Sequence, residues 1–227
     1  MGSDIRLKFS VGEAGRFISH LDVVRVMERA IRRAKLPIAF SQGFHPTPRM
    51  AFASALPVGI TSEAEYVDLQ MRTKISSQDV QQALNQVLPP GFRVLAAMEL
   101  PDQYDSLMSI ITTAVYQIQV RVPAADLQER VNEVLAADQL LVAHSYKEGD
   151  QQKNIRSLID SLSYSQDANC LHLQCASGTH SNLRPMDLLP FLQLSLGDVS
   201  IHRTALLIKL TPEQLVTPFA IVKGVYN

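Results

Sequence analysis

Tryptophan is absent, cysteine occurs twice, and aromatic residues make up 6% of the chain. With so few rings, no large aromatic platform is expected. Cys170 and Cys175 are too few for a disulfide framework, which suits a reducing compartment. No apolar run reaches the ~18 residues that a membrane helix needs. The opening MGSDIR lacks the charged-then-apolar layout of a secretory signal. Arg at position 6, where Ser or Thr is required, makes Gly2 a poor myristoylation acceptor. A cytoplasmic protein with no membrane partner is therefore expected. Also missing are a phosphate-cradling P-loop, a dinucleotide fingerprint, a nucleophile elbow and a His-Glu-x-x-His helix. There is no three-cysteine cluster of the kind that holds a radical-SAM iron–sulfur centre. No cofactor is expected, and no motif assigns the chain an activity of its own.

What is present is ordinary in bulk and uneven in distribution. The 227 residues suffice for two small domains or one large one. A hydrophobic share of 46% with 19% charged is that of a globular protein. The net charge of −1 selects no polyanion by itself. Between Ile5 and Arg49, however, nine Lys/Arg face three Asp/Glu, a local +6 that leaves −7 for the remainder. That asymmetry predicts a positive patch on an otherwise acidic protein.

The patch centres on residues 19–49, SHLDVVRVMERAIRRAKLPIAFSQGFHPTPR. Ser19 followed by Asp22 resembles a capping box and predicts a helix start. Leu21, Val24, Met27, Ile31 and Ala34 then recur at helical spacing as the expected buried stripe. Arg25, Arg29 and Arg32 fall on another arc, and Pro37 is the expected stop. Arg16, Arg33, Lys35 and Arg49 thicken the cluster, while Glu28 is the one obvious i,i+4 partner, to Arg32. Arginine forks onto two phosphate oxygens at once. The face is therefore either an anion-binding surface or a solvated, partner-facing one.

A loop follows. Gly43 permits positive φ, and Pro46 and Pro48 stiffen what comes after. Ser41, Gly43, His45 and Arg49 could grip a phosphate, with Phe44 stacking on a base; the other reading is a rigid hairpin tip. His20 and His45 are the candidates for general acid–base catalysis, although a His at a helix start more often serves in hydrogen bonding. Cys170, His172, Cys175 and His180 look metal-like on paper. Strand alternation separates Cys170 and His172 from Cys175, and the spacing fits no zinc pattern, so no metal site is expected.

Along the chain, alternation predicts strands at 5–11, 36–41, 50–55, 66–71 and 92–98, with helices at 20–34 and 77–88. A linker is expected at 100–109. The pattern then restarts: a strand at 116–122, a helix after Pro123, a strand at 140–146 and a polar loop at 147–153. Residues 155–164 fit helix or strand equally. A strand at 171–175, a helix from Pro185 disturbed by Pro190, a strand at 202–210 and a short helical turn at 211–214 complete the chain. The reading is α+β: two tandem ferredoxin-like (βαββαβ) plaits, residues 1–100 and 110–227, the first with an extra β-hairpin. Gly43-x-His45-x-x-x-Arg49 has an echo in Gly178-x-His180-x-x-x-Arg184.

Four segments also carry a family resemblance: Arg16-Phe-Ile-Ser-His20-Leu-Asp22, Arg32-Arg-Ala34, Ser41-Gln-Gly43-Phe-His45-Pro46, and Leu56-Pro-Val-Gly59-Ile-Thr-Ser-Glu63-Ala-Glu65-Tyr66. With them the chain resembles the radical-SAM-associated (SAM-linked) domain of unknown function over most of its length. Asn154-Ile-Arg156 and Arg184-Pro185 look like weaker motifs of the same family, with Asn154 where an acidic residue is expected. The resemblance implies a domain that occurs alone or fused behind a cobalamin-type radical-SAM protein, hence a radical-SAM partner. It implies no activity. The resulting expectation is an RNA- or other polyanion-binding accessory module acting with a radical-SAM protein in RNA modification or processing. The anion site would comprise Arg16, Arg25, Arg29, Arg32, Arg33, Ser41, Gly43, His45, Arg49, Arg156 and Arg184. Two other readings stay open: a protein-interaction adaptor, and a metal-independent RNA-processing enzyme using His20 and His45.

Overall fold

The computed structural model describes residues 2–146, 149–179, 181–211 and 213–223. The elements in order are β1 (Asp4–Val11), α1 (His20–Arg33), β2 (Met50–Phe52), β3 (Thr61–Gln70), α2 (Ser77–Val87), β4 (Phe92–Glu99) and α3 (Leu107–Ile110). These are followed by β5 (Thr113–Val120), α4 (Leu127–Ala136), β6 (Leu141–Tyr146), β7 (Gly149–Asn154), β8 (Ile159–Ser165) and β9 (Cys170–Ala176). The last are β10 (Val199–Lys209), β11 (Leu215–Val216) and α5 (Pro218–Lys223). The fold is mixed α+β, with a mainly β-sheet core and few helices. Two compact units are present: residues 1–111 with 205–227, and residues 112–204.

In the first unit the strands run β4-β1-β3, and β2 adds antiparallel to β3. Alternation puts Ile5, Leu7, Phe9 and Val11 on the buried face of β1, with Val67 and Leu69 opposite on β3. The buried sides of α1 (Val23, Met27, Ala30, Ile31) and α2 (Val80, Leu84) complete that core. Asn85 of α2 hydrogen-bonds both the backbone N–H and C=O of Val94, at 2.8 and 2.9 Å, close to the place where the β1–β4 register shifts.

The opposite face of this sheet holds a buried charge pair. Arg6 and Asp68 stand directly across from each other on β1 and β3. The Arg6 guanidinium donates to both Asp68 oxygens, at 2.8 and 2.9 Å, with the arginine fully buried. Its remaining donors reach the carbonyls of Pro218, at 3.0 Å, and Asp105, at 3.3 Å. Tyr104 lies near the guanidinium and donates to Asp4 at 2.7 Å, while Phe219 meets Tyr66 edge-on. Burial pushes the Asp68 carboxyl above its usual range against the pull of Arg6, and raises Tyr66 to about 12.

In the second unit the order is β10-β5-β9-β8, with β6 and β7 pairing as a separate hairpin. Buried Arg203 on β10 meets the Tyr116 hydroxyl of β5 through Nε, at 3.2 Å, and Nη2, at 3.1 Å.

Several local expectations change. The α1 helix stops before Pro37: Lys35 turns left-handed (φ 52°), the Leu36 N–H returns to Ile31 and the Lys35 N–H to Arg32, closing a Schellman cap. The buried stripe of α1 is rotated from the expected one, so Val23 and Ala30 are inside while Leu21 is exposed. Both stripes share Met27 and Ile31, which is why spacing alone did not separate them. The expected strand at 36–41 is reduced to isolated bridges, Ile38 to Met71 and Phe40 to Pro48. The linker contains α3, anchored by buried Leu107. The polar loop is the β6–β7 hairpin, with Lys147 and Glu148 outside the described residues. The undecided 155–164 segment is a 3-10 turn followed by β8. After Pro185 come separate 3-10 turns instead of a helix, since Pro190 lacks the N–H that a continuous ladder needs. The expected helical turn at 211–214 includes Pro212, which lies outside the described residues; on either side of it the Leu210 N–H donates to the Gln214 carbonyl and the chain enters β11.

Two stability outcomes follow from this packing. Asp68→Ala leaves the Arg6 charge buried without its carboxylate and is expected to cost about 3–5 kcal/mol in urea unfolding. Lys35→Gly relieves a left-handed residue and is expected to stabilise by roughly 1 kcal/mol in the same assay.

Candidate functional site

α1 begins at Ser19, whose hydroxyl accepts the Asp22 N–H at 3.2 Å and donates to its carboxylate at 2.7 Å. That hydroxyl, together with Arg25, holds the exposed Asp22 carboxyl below its ordinary range. From this start the helical period brings Arg25, Arg29, Arg32 and Arg33 to the exposed side. Val26, Arg29, Arg32 and Arg33 line a groove of about 490 Å³ with Pro89, which follows α2. The Arg33 guanidinium donates to the Val87 carbonyl at the α2 C-terminus, an orphan acceptor of that helix end. Arg29 and Arg32 form no side-chain hydrogen bond or ion pair with any described residue, and none joins Arg32 to Glu28. Arg25 pairs with Asp22 at 2.8 Å, both side chains largely in solvent. Arg16 pairs with Glu13 at 2.8 Å and stacks on Phe17.

The 41–49 loop is closed at its neck. Ser41 Oγ accepts the Thr47 N–H at 3.0 Å, the Ser41 N–H bonds the Thr47 carbonyl, and the Arg49 N–H bonds Ala39. Ser41 is thus occupied in holding the loop. Gly43 has φ +126°, with open space where a side chain would stand. Phe44 and His45 are exposed at the tip. His20 meets Phe52 edge-on at 5.5 Å, and no hydrogen bond joins it to His45 among the described residues. Arg49 donates to Gln70 at 2.9 Å and lines a different cavity, of about 340 Å³, with Asp68, Gln70 and Tyr104. The structure therefore brings Arg29, Arg32 and Arg33 together and puts Arg49 elsewhere.

In the second unit Arg156 donates to the Leu135 carbonyl at 2.8 Å. Asn154 Oδ1 accepts the N–H groups of Leu140 and Arg156, both at 3.0 Å, so the carboxamide serves the backbone where the resemblance led one to expect an acid. Arg184 forks onto Asp187 at 3.0 Å through both contacts. His180, and with it the histidine of the Gly178–Arg184 echo, lies outside the described residues. Cys170 and Cys175 are buried free thiols, while His172 is exposed. Among the described residues no cluster of His, Cys, Asp and Glu is arranged to hold a metal ion.

Sequence reasoning passed over Arg6, Asp68 and Arg203. Arg6 sat among the polar positions of an alternating strand, where solvent is the default partner. The available signal was opposite charge on two adjacent strands, but it becomes a contact only once the β1–β3 register is known.

Residues 4–185 match the model of a family described as "Uncharacterized protein conserved in bacteria (DUF2344)". The chain belongs to that family. No match to a curated protein was found. Among solved structures, one titled "Crystal Structure of a Cbf5-Nop10-Gar1 Complex" is similar at 11% identity and a TM-score of 0.45. The match covers 96% of this chain and 54% of that one, so this chain spans about half of its length. No helix among the described residues is long and apolar enough to cross a membrane.

Burial raises both thiols, Cys175 to about 12. The thiolate is the reactive form. In a thiol-titration assay at neutral pH, both cysteines are therefore expected to stay silent in the native protein and to react together after urea unfolding.

Proposed function

We propose that the protein is a nucleic-acid-binding or other polyanion-binding accessory module, with RNA as the first candidate, whose contact surface is the α1 arginine groove. The observation that carries this is the convergence of Arg29, Arg32 and Arg33 on one 490 Å³ groove, with Arg29 and Arg32 unpaired among the described residues. Three cations close together repel one another, so a groove that gathers them without a carboxylate favours an anion. Arg33, held by the Val87 carbonyl, fixes one wall while the other two guanidinium groups stay available for phosphate oxygens. Arg25 joins them at low cost, because an exposed ion pair such as its bond to Asp22 is weak. In this reading Arg16, Arg184, Arg156 and Ser41 chiefly hold their own surroundings.

The motifs of residues 16–66 add a radical-SAM partner, which would supply any radical chemistry while this chain holds the RNA. A cytoplasmic location fits that pairing. The strand orders β4-β1-β3-β2 and β10-β5-β9-β8 support two successive ferredoxin-like plaits, expected as domains 1–100 and 110–227, although residues 205–227 cluster with the first unit.

The test is fluorescence polarisation of the full chain with labelled RNA across a salt series. Affinity is expected to fall steeply with salt, and Arg29→Ala and Arg32→Ala each to weaken binding and flatten the log–log slope by about 0.7–0.9. Absent or salt-independent binding by the unmodified protein would overturn the proposal.

A further inference from the structure

The exposed line on α1 continues past its arginines. From Arg32 toward the N-terminus the exposed positions are Arg29, Arg25 and Leu21, at intervals of three, four and four residues. Such intervals keep to one side of a helix. From Arg32 to Leu21 the line is roughly 16 Å long at the α-helical rise. Leu21 is 67% exposed, and Phe17, just before the helix, is 71% exposed.

Phe17 is held in a particular way. The Arg16 guanidinium lies over its ring, 4.6 Å from the centroid. That guanidinium is itself fixed by Glu13 at 2.8 Å. The Arg16 carbonyl accepts the Gly59 N–H at 2.6 Å, which ties the turn bearing exposed Val58 to the same place. The aromatic ring therefore has a cation against it and is otherwise largely open, three residues before the start of the helix that carries the arginines.

We infer that this line takes a single strand of nucleic acid in preference to a duplex, with phosphates along Arg25, Arg29 and Arg32 and an unpaired base stacked on Phe17. The inference rests on the polyanion reading of the groove and specifies its ligand. A paired base inside a helix offers its faces to its neighbours and has none for a protein ring; an unpaired base has both. A cation behind the ring strengthens it as a stacking surface, giving an arginine–phenylalanine–base order. An acidic protein segment could answer the arginines, but it has no planar group requiring an aromatic ring just before the helix.

Polarisation with the full chain tests this, using a ~12-nucleotide single-stranded RNA, the matching DNA strand and the RNA duplex at one salt concentration. The single-stranded RNA is expected to bind about ten-fold more tightly than the duplex. Phe17→Ala is expected to remove most of that preference at an unchanged melting temperature, Phe17→Tyr to keep it, and Arg29→Ala with Arg32→Ala to weaken both probes. Equal or tighter binding of RNA relative to the DNA strand supports the inference, the ratio reporting any contact to the 2′-hydroxyl. Equal affinity for strand and duplex, or unchanged strand binding by Phe17→Ala, overturns it and leaves the polyanion reading standing. Failure of the unmodified protein to bind any probe overturns both.

Discussion

The first unit depends on one buried arginine. Arg6 has no solvent to hydrate it, and a lone cation in that position would be untenable. Asp68 neutralises it through two parallel hydrogen bonds across the β1–β3 ladder. The other donors are then directed at backbone carbonyls from two distant parts of the chain, Asp105 and Pro218. A hydrophobic cluster could have covered this face with less desolvation cost, but would not have specified which carbonyls come to rest there. Position follows from hydrogen-bond direction: the segment before α3 and the start of α5 are both located by one guanidinium.

The same residue type performs a different task on α1. Arg6 and Arg203 are enclosed, and Arg16, Arg33, Arg156 and Arg184 are each tied to a carboxylate or a carbonyl. Arg29 and Arg32 stand apart because neither forms a side-chain hydrogen bond or ion pair with a described residue. The contrast locates two unpaired guanidinium groups on one groove, where a count of arginines between residues 5 and 49 only indicated a region. The end of α1 offsets part of that charge. The left-handed Lys35 turns the chain at the last helical turn, so Arg32 and Arg33 sit at a helix C-terminus, where backbone carbonyls favour positive charge.

Periodicity made much of this legible. The alternation of Ile5 to Val11 put the right side of β1 in the core, and Ser19 marked the start of α1 through a hydroxyl that does cap it. The arc of Arg25, Arg29 and Arg32 was readable from 3.6-residue spacing alone. Three kinds of information were not. The stripe facing the core was ambiguous because Leu21/Val24 and Val23/Ala30 each fit the period around Met27 and Ile31. Residues 155–164 carried patterns for both helix and strand, and pairing with β9 resolved them. Pairings between distant residues, Arg6 with Asp68 and Arg49 with Gln70, need a register or a turn geometry that local spacing does not contain.

Residues 205–227 cluster with residues 1–111, and Pro218 supplies one of the carbonyls that Arg6 requires. Synthesis runs from the N-terminus, so β1, β3 and Asp68 are made long before that carbonyl exists. Until that carbonyl emerges, the charged pair stays open to water on one side, and only the segment around residue 218 can seal it. A nascent chain therefore cannot complete the surroundings of the β1–β3 charge pair early, and a ribosome stalled before residue 218 leaves a product in which one Arg6 donor still lacks its acceptor.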